Sequence, residues 1–301
     1  MNLSSVNNTV SAAGQMRDSF TTAVIKNVIV TVLCISINYI NGTLLHTFRK
    51  HQILNSNPRY ILFIHLVIND MMQLALSTLL HVVSYALFKI AMPFCVIILT
   101  IAVATTQNTP LNLAGMAVEC YIAVCMPLRH GQICSVKKTY ILIGLIWVAS
   151  AFYVLPDLFF LLATEPLELF QSKVFCARDY VFRGTTKKRD VSHIVCLVLV
   201  WLTLFYTYFR ILFAAKGAST DMKKARNTIL LHGFQLLLCM LSYVRPMLEQ
   251  GLIYLMPKQL LSIRFTFYVI VQILPRFVSP IVYGLRDQTF RRYVRKYFRC
   301  S

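Results

Sequence analysis

Two charged residues, Asp70 and Arg276, stand inside long apolar runs where hydrocarbon would surround them. Charges at that depth are costly, are usually paired, and mark the places where a membrane protein does its work. The other conspicuous polar group is Thr105-Thr106-Gln107-Asn108-Thr109-Pro110, which interrupts an apolar stretch between residues 93 and 126. Hydroxyls and amides in such a place either bond neighbouring helices or supply the few placed contacts by which a mostly apolar pocket recognises a small molecule. Bond-making chemistry has no comparable set. His65, His81, His193 and His232 are scattered over different apolar segments, no His/Asp/Glu cluster has metal-ligand spacing, and no nucleophile motif occurs. Neither an enzyme nor a cofactor or metal is expected.

The elements that must position these residues are rods in lipid. Apolar residues make up 57% of the chain and charged residues 14%, whereas a soluble domain carries about a quarter charged residues. Seven segments, at approximately 23–48, 60–88, 93–126, 139–162, 191–215, 226–254 and 262–285, are long and apolar enough to cross a bilayer as helices. The third is weakened by its polar interruption, and the sixth and seventh carry Arg245 and Arg276. No solenoid repeat or low-complexity linker divides the chain. The expectation is an all-α membrane protein: a short N-terminal arm over 1–22, a seven-transmembrane helix bundle over 23–285, and a tail over 286–301.

The formal charge of +19 suits either a nucleic-acid binder or a membrane protein with basic loops. The basic clusters lie between the apolar runs, which favours the membrane and leaves no nucleic-acid partner. Arg49, Lys50 and Arg59 follow the first segment, Arg129, Lys137 and Lys138 the third, and Lys216, Lys223, Lys224 and Arg226 the fifth. Loops rich in Lys and Arg stay in the cytoplasm, so the N-terminus is expected outside, at the plasma membrane, and the tail inside. Residues 1–20 are polar and the first apolar run is too long for a signal core, so it reads as an uncleaved anchor. Asn2-Leu3-Ser4 and Asn7-Asn8-Thr9 are glycosylation acceptors if that arm is lumenal. Residues 288–298 set Phe290, Tyr293, Tyr297 and Phe298 against several Arg and Lys, the pattern of an amphipathic helix on the inner leaflet. Cys300 beyond it is a candidate for palmitoylation, and a disordered tail is the alternative. Of nine cysteines, only Cys95 and Cys176 face the oxidising side in this topology. They either pin the long outer loop over the bundle or both stay free.

The stretch Met116-Ala117-Val118-Glu119-Cys120-Tyr121-Ile122-Ala123-Val124-Cys125-Met126-Pro127-Leu128-Arg129-His130 resembles the signature at the inner end of the third helix in odorant receptors. There an acid-Arg-Tyr triplet leads into Pro-Leu-Arg-Tyr/His. Pro280-Ile281-Val282-Tyr283-Gly284-Leu285-Arg286-Asp287 looks like the same family's seventh-helix motif. Cys95 precedes Glu119 by 24 residues, as in rhodopsin-like receptors generally, and Asn41, Asp70, Trp147 and Lys224-Ala225 fall at the family's helix landmarks. The likeness covers essentially the whole chain, with its Pro-Leu-Arg-His form closest to fish-type odorant receptors. It departs at Cys120, where the family has arginine, at Met240, where rhodopsin-like receptors have tryptophan, and at Ser279, where asparagine is usual.

The resemblance implies a receptor that binds a small-molecule odorant among its helices and activates a heterotrimeric G protein of the stimulatory (olfactory) type, with a cytoplasmic helix 8 after the seventh span. It implies ligand contacts from Ala102, Val103, Thr106 and Gln107 on the third helix and from Met240, Tyr243 and Val244 on the sixth. Coupling and activation would fall to Glu119, Cys120, Tyr121, Tyr208, Pro280 and Tyr283. Glu119, lacking an arginine at Cys120, would turn to Arg129 or to basic residues opening the sixth helix. Asp70 resembles the family's sodium-coordinating acid, and Arg276, one turn outward of Pro280, faces it in that fold. A buried Asp70–Arg276 ion pair is therefore expected, with contacts from Arg276 to backbone carbonyls as the alternative. A rhodopsin-like receptor for an amine, peptide or other chemosensory ligand is the competing function. A transporter or channel would show matched broken helices or charge-lined paths, and neither appears.

Overall fold

The computed structural model describes residues 19–86, 89–182, 186–214, 248–256 and 259–278, with positions 230, 233, 234, 237, 241 and 245 between them. Long helices run Phe20–Lys50, Pro58–Ala86, Met92–Cys125, Val136–Thr164 and Thr186–Ala214, the first to fifth spans. The seventh begins as Leu260–Tyr268, passes through a π-helical turn Val269–Ile273 and continues helical to 278. The first five agree with the apolar segments read from the sequence to within a few residues, as does the start of the seventh, whose expected end at 285 lies outside the described residues. Among the described residues, six helices are long and apolar enough to cross a membrane. Most of the expected sixth segment lies outside the described residues, with 248–255 helical at its end. The 1–22 arm up to residue 18, with Asn2 and Asn7, and the 286–301 tail, with its expected helix 8 and Cys300, also lie outside them.

The bundle is turned inside out relative to a soluble protein. Ile25, Val28, Val32 and Ile35 project from the first span, Phe152 and Phe159 from the fourth, and Leu199, Leu202 and Phe205 from the fifth, all exposed. Asn41, Asn69, Asp70, Gln73, Asn108 and Asn112 are buried. Lipid is as apolar as leucine, so it costs nothing to leave these side chains outside, whereas amides and carboxylates must find partners within.

The third span is the central staff, packed against the second, fourth and fifth. Leu113, Met116 and Ala117 meet Leu62, Phe63 and Leu66 of the second span and Val200 and Leu204 of the fifth in one apolar cluster. Gly115 faces the fourth span, where a Cβ would lie 3.4 Å from Cδ2 of Leu142, an ordinary van der Waals contact. The fourth span is also tied to the second, where the Trp147 indole Nε1–H donates to His65 Nε2 at 2.9 Å. At one end of the bundle the strands β1 (Ile90–Ala91) and β2 (Lys173–Val174) pair antiparallel, and Cys95 forms a disulfide with Cys176, their Cα atoms 5.6 Å apart. The pinned loop expected from topology is present.

Candidate functional site

The polar interruption of the third span does not break its helix, because its side chains bond inward and across. Asn69 Nδ2 of the second span donates to the Thr105 carbonyl and to the Thr109 hydroxyl, both at 3.0 Å. Gln73 Nε2 donates to Thr106 Oγ1 at 2.6 Å, and that hydroxyl donates to the Ala102 carbonyl at 2.8 Å. One turn on, Asn112 Nδ2 donates to the Leu62 carbonyl at 3.3 Å. Of the expected ligand contacts, Val103 and Gln107 are buried and Ala102 and Thr106 half-buried. The interhelical use was weighed for Thr105, Gln107 and Asn108; Thr105 accepts from the second span through its main-chain carbonyl while its hydroxyl bonds Ile101 and Ala102 of its own helix, and the hydroxyls that accept across are those of Thr106 and Thr109. Met240, Tyr243 and Val244 lie outside the described residues.

Arg276 is only 4% exposed, and Asp70 only 2%. Nη1 of Arg276 donates to the carbonyl oxygens of Val271 at 2.8 Å and Gln272 at 2.9 Å. The chain supplies the reason. An α-helical carbonyl at 271 would accept from the N–H of residue 275, and residue 275 is proline, which has none. In hydrocarbon that carbonyl must be satisfied from within the protein, and the next side chain along folds back to do it. The π-helical turn over Val269–Ile273 lies where the hydrogen-bond ladder is interrupted. The described hydrogen bonds of Arg276 thus follow the backbone-carbonyl alternative. A salt bridge from it to Asp70 is not among those of the described residues, which join Glu119 to His130 and Glu249 to Arg245 and Arg264.

The other end of the third span gathers the expected activation residues. Glu119 is buried, and its Oε1 lies 3.1 Å from His130 Nε2. Arg129, the partner weighed from sequence, is exposed. The helix is remade at Met126, whose φ of −136° and ψ of 55° leave the helical region, and Pro127 then starts a new short helix, Pro127–Ile133. That helix presents the residue after Arg129. Cys120 is buried against Ile211 of the fifth span, with Tyr121, Val124, Cys125 and Tyr208 packed around them. The position that is arginine in the odorant-receptor signature is here part of an apolar third-to-fifth contact. Tyr121 meets Tyr206 edge-on, ring centroids 5.9 Å apart, and lies beside Arg210. The fifth span therefore delivers a guanidinium to this end from a different helix. Just past it, burial pushes the Cys134 thiol up from its usual range, with the Glu119 charge adding to the effect. Pro280 and Tyr283 lie outside the described residues.

Sequence reasoning passed over the disulfide end of the first, second and seventh spans. Lys26 is buried there, its Nζ 3.5 Å from the Leu261 carbonyl and 5.4 Å over the Phe265 ring. His81 stacks on Tyr268, centroids 4.5 Å apart. Glu249 takes Arg245 Nε at 3.2 Å and Arg264 Nε at 3.0 Å. The available signal was a single lysine inside an apolar run, the same signal that drew attention to Asp70 and Arg276.

Comparison with known proteins adds to this geometry. The family model described as "7 transmembrane receptor (rhodopsin family)" matches residues 40–283. The chain is similar to Odorant receptor 131-2 of Danio rerio, 30% identical over 285 residues that cover 92% of this chain and 86% of that protein. It is also similar to Neurotensin receptor type 1 of Rattus norvegicus, 41% identical over 56 residues that cover 19% of this chain and 13% of that receptor. The human neurotensin receptor matches to the same extent, 41% over 56 residues.

Proposed function

Because the chain belongs to the rhodopsin family of seven-transmembrane receptors, a family of multi-pass membrane receptors and not of enzymes, we propose that it is an odorant receptor. It binds a small molecule within the helix bundle and activates a heterotrimeric G protein of the stimulatory, olfactory type. The observation that carries this reading is the likeness to a fish odorant receptor along nearly the whole chain. The geometry supports it at the third span, which joins a polar middle to an end where Glu119, Cys120 and Tyr121 meet the fifth span and the Pro127–Ile133 helix. A ligand that favours one packing of these helices over another shifts the population between inactive and active bundles.

In this reading the N-terminal arm is extracellular and glycosylated at Asn2 and Asn7, and the tail forms helix 8 on the inner leaflet of the plasma membrane. Ala102, Val103, Thr106 and Gln107 line the ligand site with Met240, Tyr243 and Val244. Tyr208 and Tyr283 move on activation, and Pro280 belongs to the same coupling end. Asp70 is the buried acid that Arg276 can reach when it leaves the carbonyls of Val271 and Gln272.

A peptide ligand is the second reading, favoured by the 56-residue neurotensin-receptor match. A cyclic AMP assay over amino acids, amines, steroids, volatile odorants and short peptides separates the two, run in cells with and without the stimulatory G protein. A small-molecule response that needs the G protein is expected. A response to peptides alone sinks the odorant reading, and one that persists without the G protein sinks the coupling.

A further inference from the structure

The seam between the third and fifth spans has a lipid-facing side, and that side ends on a charge. Leu199, Leu202 and Tyr206 of the fifth span recur at helical spacing and are all exposed. Arg210, exposed as well, continues the row one turn further. On the third span Val118 is exposed and Tyr121 and Cys125 are half-buried, again at helical spacing. The two rows touch. Tyr121 meets Tyr206 edge-on, and the Cys125 Sγ lies 4.0 Å from the Arg210 carbonyl. The Arg210 side chain lies beside both tyrosines, one from each span.

Length sets the depth of this charge. A helix rises about 1.5 Å per residue, so Leu199 stands about 16 Å from Arg210 along the fifth span. One leaflet contributes about 15 Å of a hydrocarbon core about 30 Å thick. The apolar row is thus as long as one acyl layer is deep, and Arg210 stands at its rim, among the headgroups. Cys125, beside it, is the last residue of the third helix, which places the same boundary independently. Any arginine near a helix end can reach toward headgroups. Here phenol rings from two spans flank the guanidinium, and the Tyr206 hydroxyl is a second donor one turn outward. A planar guanidinium takes two phosphate oxygens at once.

We propose that this seam binds a phospholipid of the cytoplasmic leaflet whose headgroup carries a net negative charge. Its phosphate meets Arg210 and the Tyr206 hydroxyl, and one acyl chain lies along Leu202 and Leu199. The lipid touches both sides of the contact that buries Cys120 against Ile211. It therefore favours whichever packing of the bundle makes that contact. The choice of leaflet rests on the orientation proposed above.

The test uses the purified full chain in nanodiscs. The chain has two tryptophans, so Trp147→Phe leaves Trp201, next to Leu202, as the reporter. Quenching of its fluorescence by brominated phosphatidylserine is compared with quenching by brominated phosphatidylcholine at equal mole fraction. The serine lipid should bind about fivefold more strongly at this position. Arg210→Gln should bring the ratio close to one, and Tyr206→Phe, which keeps every charge, should lower it about twofold to threefold. Arg129→Gln removes an exposed charge at the same end of the bundle but off the row, and should leave the ratio unchanged. The proposal is overturned if the two lipids quench equally in the unaltered seam, if Arg129→Gln lowers the ratio as much as Arg210→Gln, or if neither Arg210→Gln nor Tyr206→Phe lowers it. A nanodisc carries the same lipids on both faces, so the site is tested whichever way the chain runs. Glycan mapping at Asn2 and Asn7 tests the orientation separately.

Discussion

The bond from Arg276 to the Val271 carbonyl makes a quantitative prediction, because residue 275, whose main-chain N–H an α-helix would direct at that carbonyl, is proline. Arg276→Met removes both carbonyl contacts and leaves the Val271 oxygen without a donor. A hydrogen bond to a charged group contributes about 1.5–3 kcal/mol, and an orphaned buried acceptor costs about 1–3 kcal/mol. Together these give a loss of about 3–4 kcal/mol in the Pro275 background. In the Pro275→Ala background the main-chain N–H of residue 275 is restored in register with the Val271 carbonyl. The same Arg276→Met change should then cost about 2 kcal/mol, so the coupling between the two positions is about 1–2 kcal/mol. A double-mutant cycle on the purified receptor, read by reversible unfolding in mixed detergent, measures it. Additivity within about 0.3 kcal/mol would refute the reasoning. A parallel cycle with Asp70→Asn tests the ion pair. Losing one partner of a buried pair costs about 3–5 kcal/mol, so strong coupling there and none to Pro275 would move the guanidinium from the carbonyls to the acid.

Cys95→Ser and Cys176→Ser should each cost about 2–5 kcal/mol and lower surface expression, and the double substitution should cost no more than either alone; clearly additive losses would mean that the two sulfurs are not bonded to each other. His130→Phe leaves the buried Glu119 carboxylate without its imidazole and should raise ligand-free cyclic AMP about fivefold to tenfold, corresponding to about 1–1.4 kcal/mol of lost restraint on the inactive bundle; unchanged basal signalling at equal surface expression would show that the contact is made equally in both states. Trp147→Phe keeps the aromatic body and removes the donor to His65, with an expected loss of about 1 kcal/mol in unfolding free energy, and no loss would mean that the indole N–H contributes nothing there.

Much of the fold was legible because hydropathy counts side chains that face lipid, and on the first, fourth and fifth spans most of them do. The third span was the hardest to read for the opposite reason. It is surrounded by other spans, and the polar run at Thr105–Thr109 that lowers its hydropathy is what holds Asn69 and Gln73 of the second span. A window average sees how many polar groups there are and not where they point. Cys95 and Cys176 were legible because charge fixed which loops share a compartment, after which few pairings were open.

The site was legible by residue type and less so by partner. Glu119 was expected to turn to a nearby base, but Pro127 restarts the helix and brings His130 to it in place of Arg129. Arg276 was recognised as a buried charge, while its obligation to Val271 depends on a proline four residues beyond that carbonyl, a local count that pairing charges across the bundle overlooks. Lys26 sat in plain view in the first apolar run. Its significance needs Leu261 and Phe265, more than two hundred residues away, to be on the page beside it.

The repair at Val271 also bears on how the seventh span can move. Elsewhere in a helix, bending means prising apart main-chain bonds that cannot be remade anywhere else. Here one rung of the ladder is carried by a long side chain that pivots about single bonds. The rod can flex at that level by a change of side-chain rotamer, with the peptide ladder above and below left whole, and the swinging arm is charged, so any anion within its reach can bias whether the joint is locked or loose.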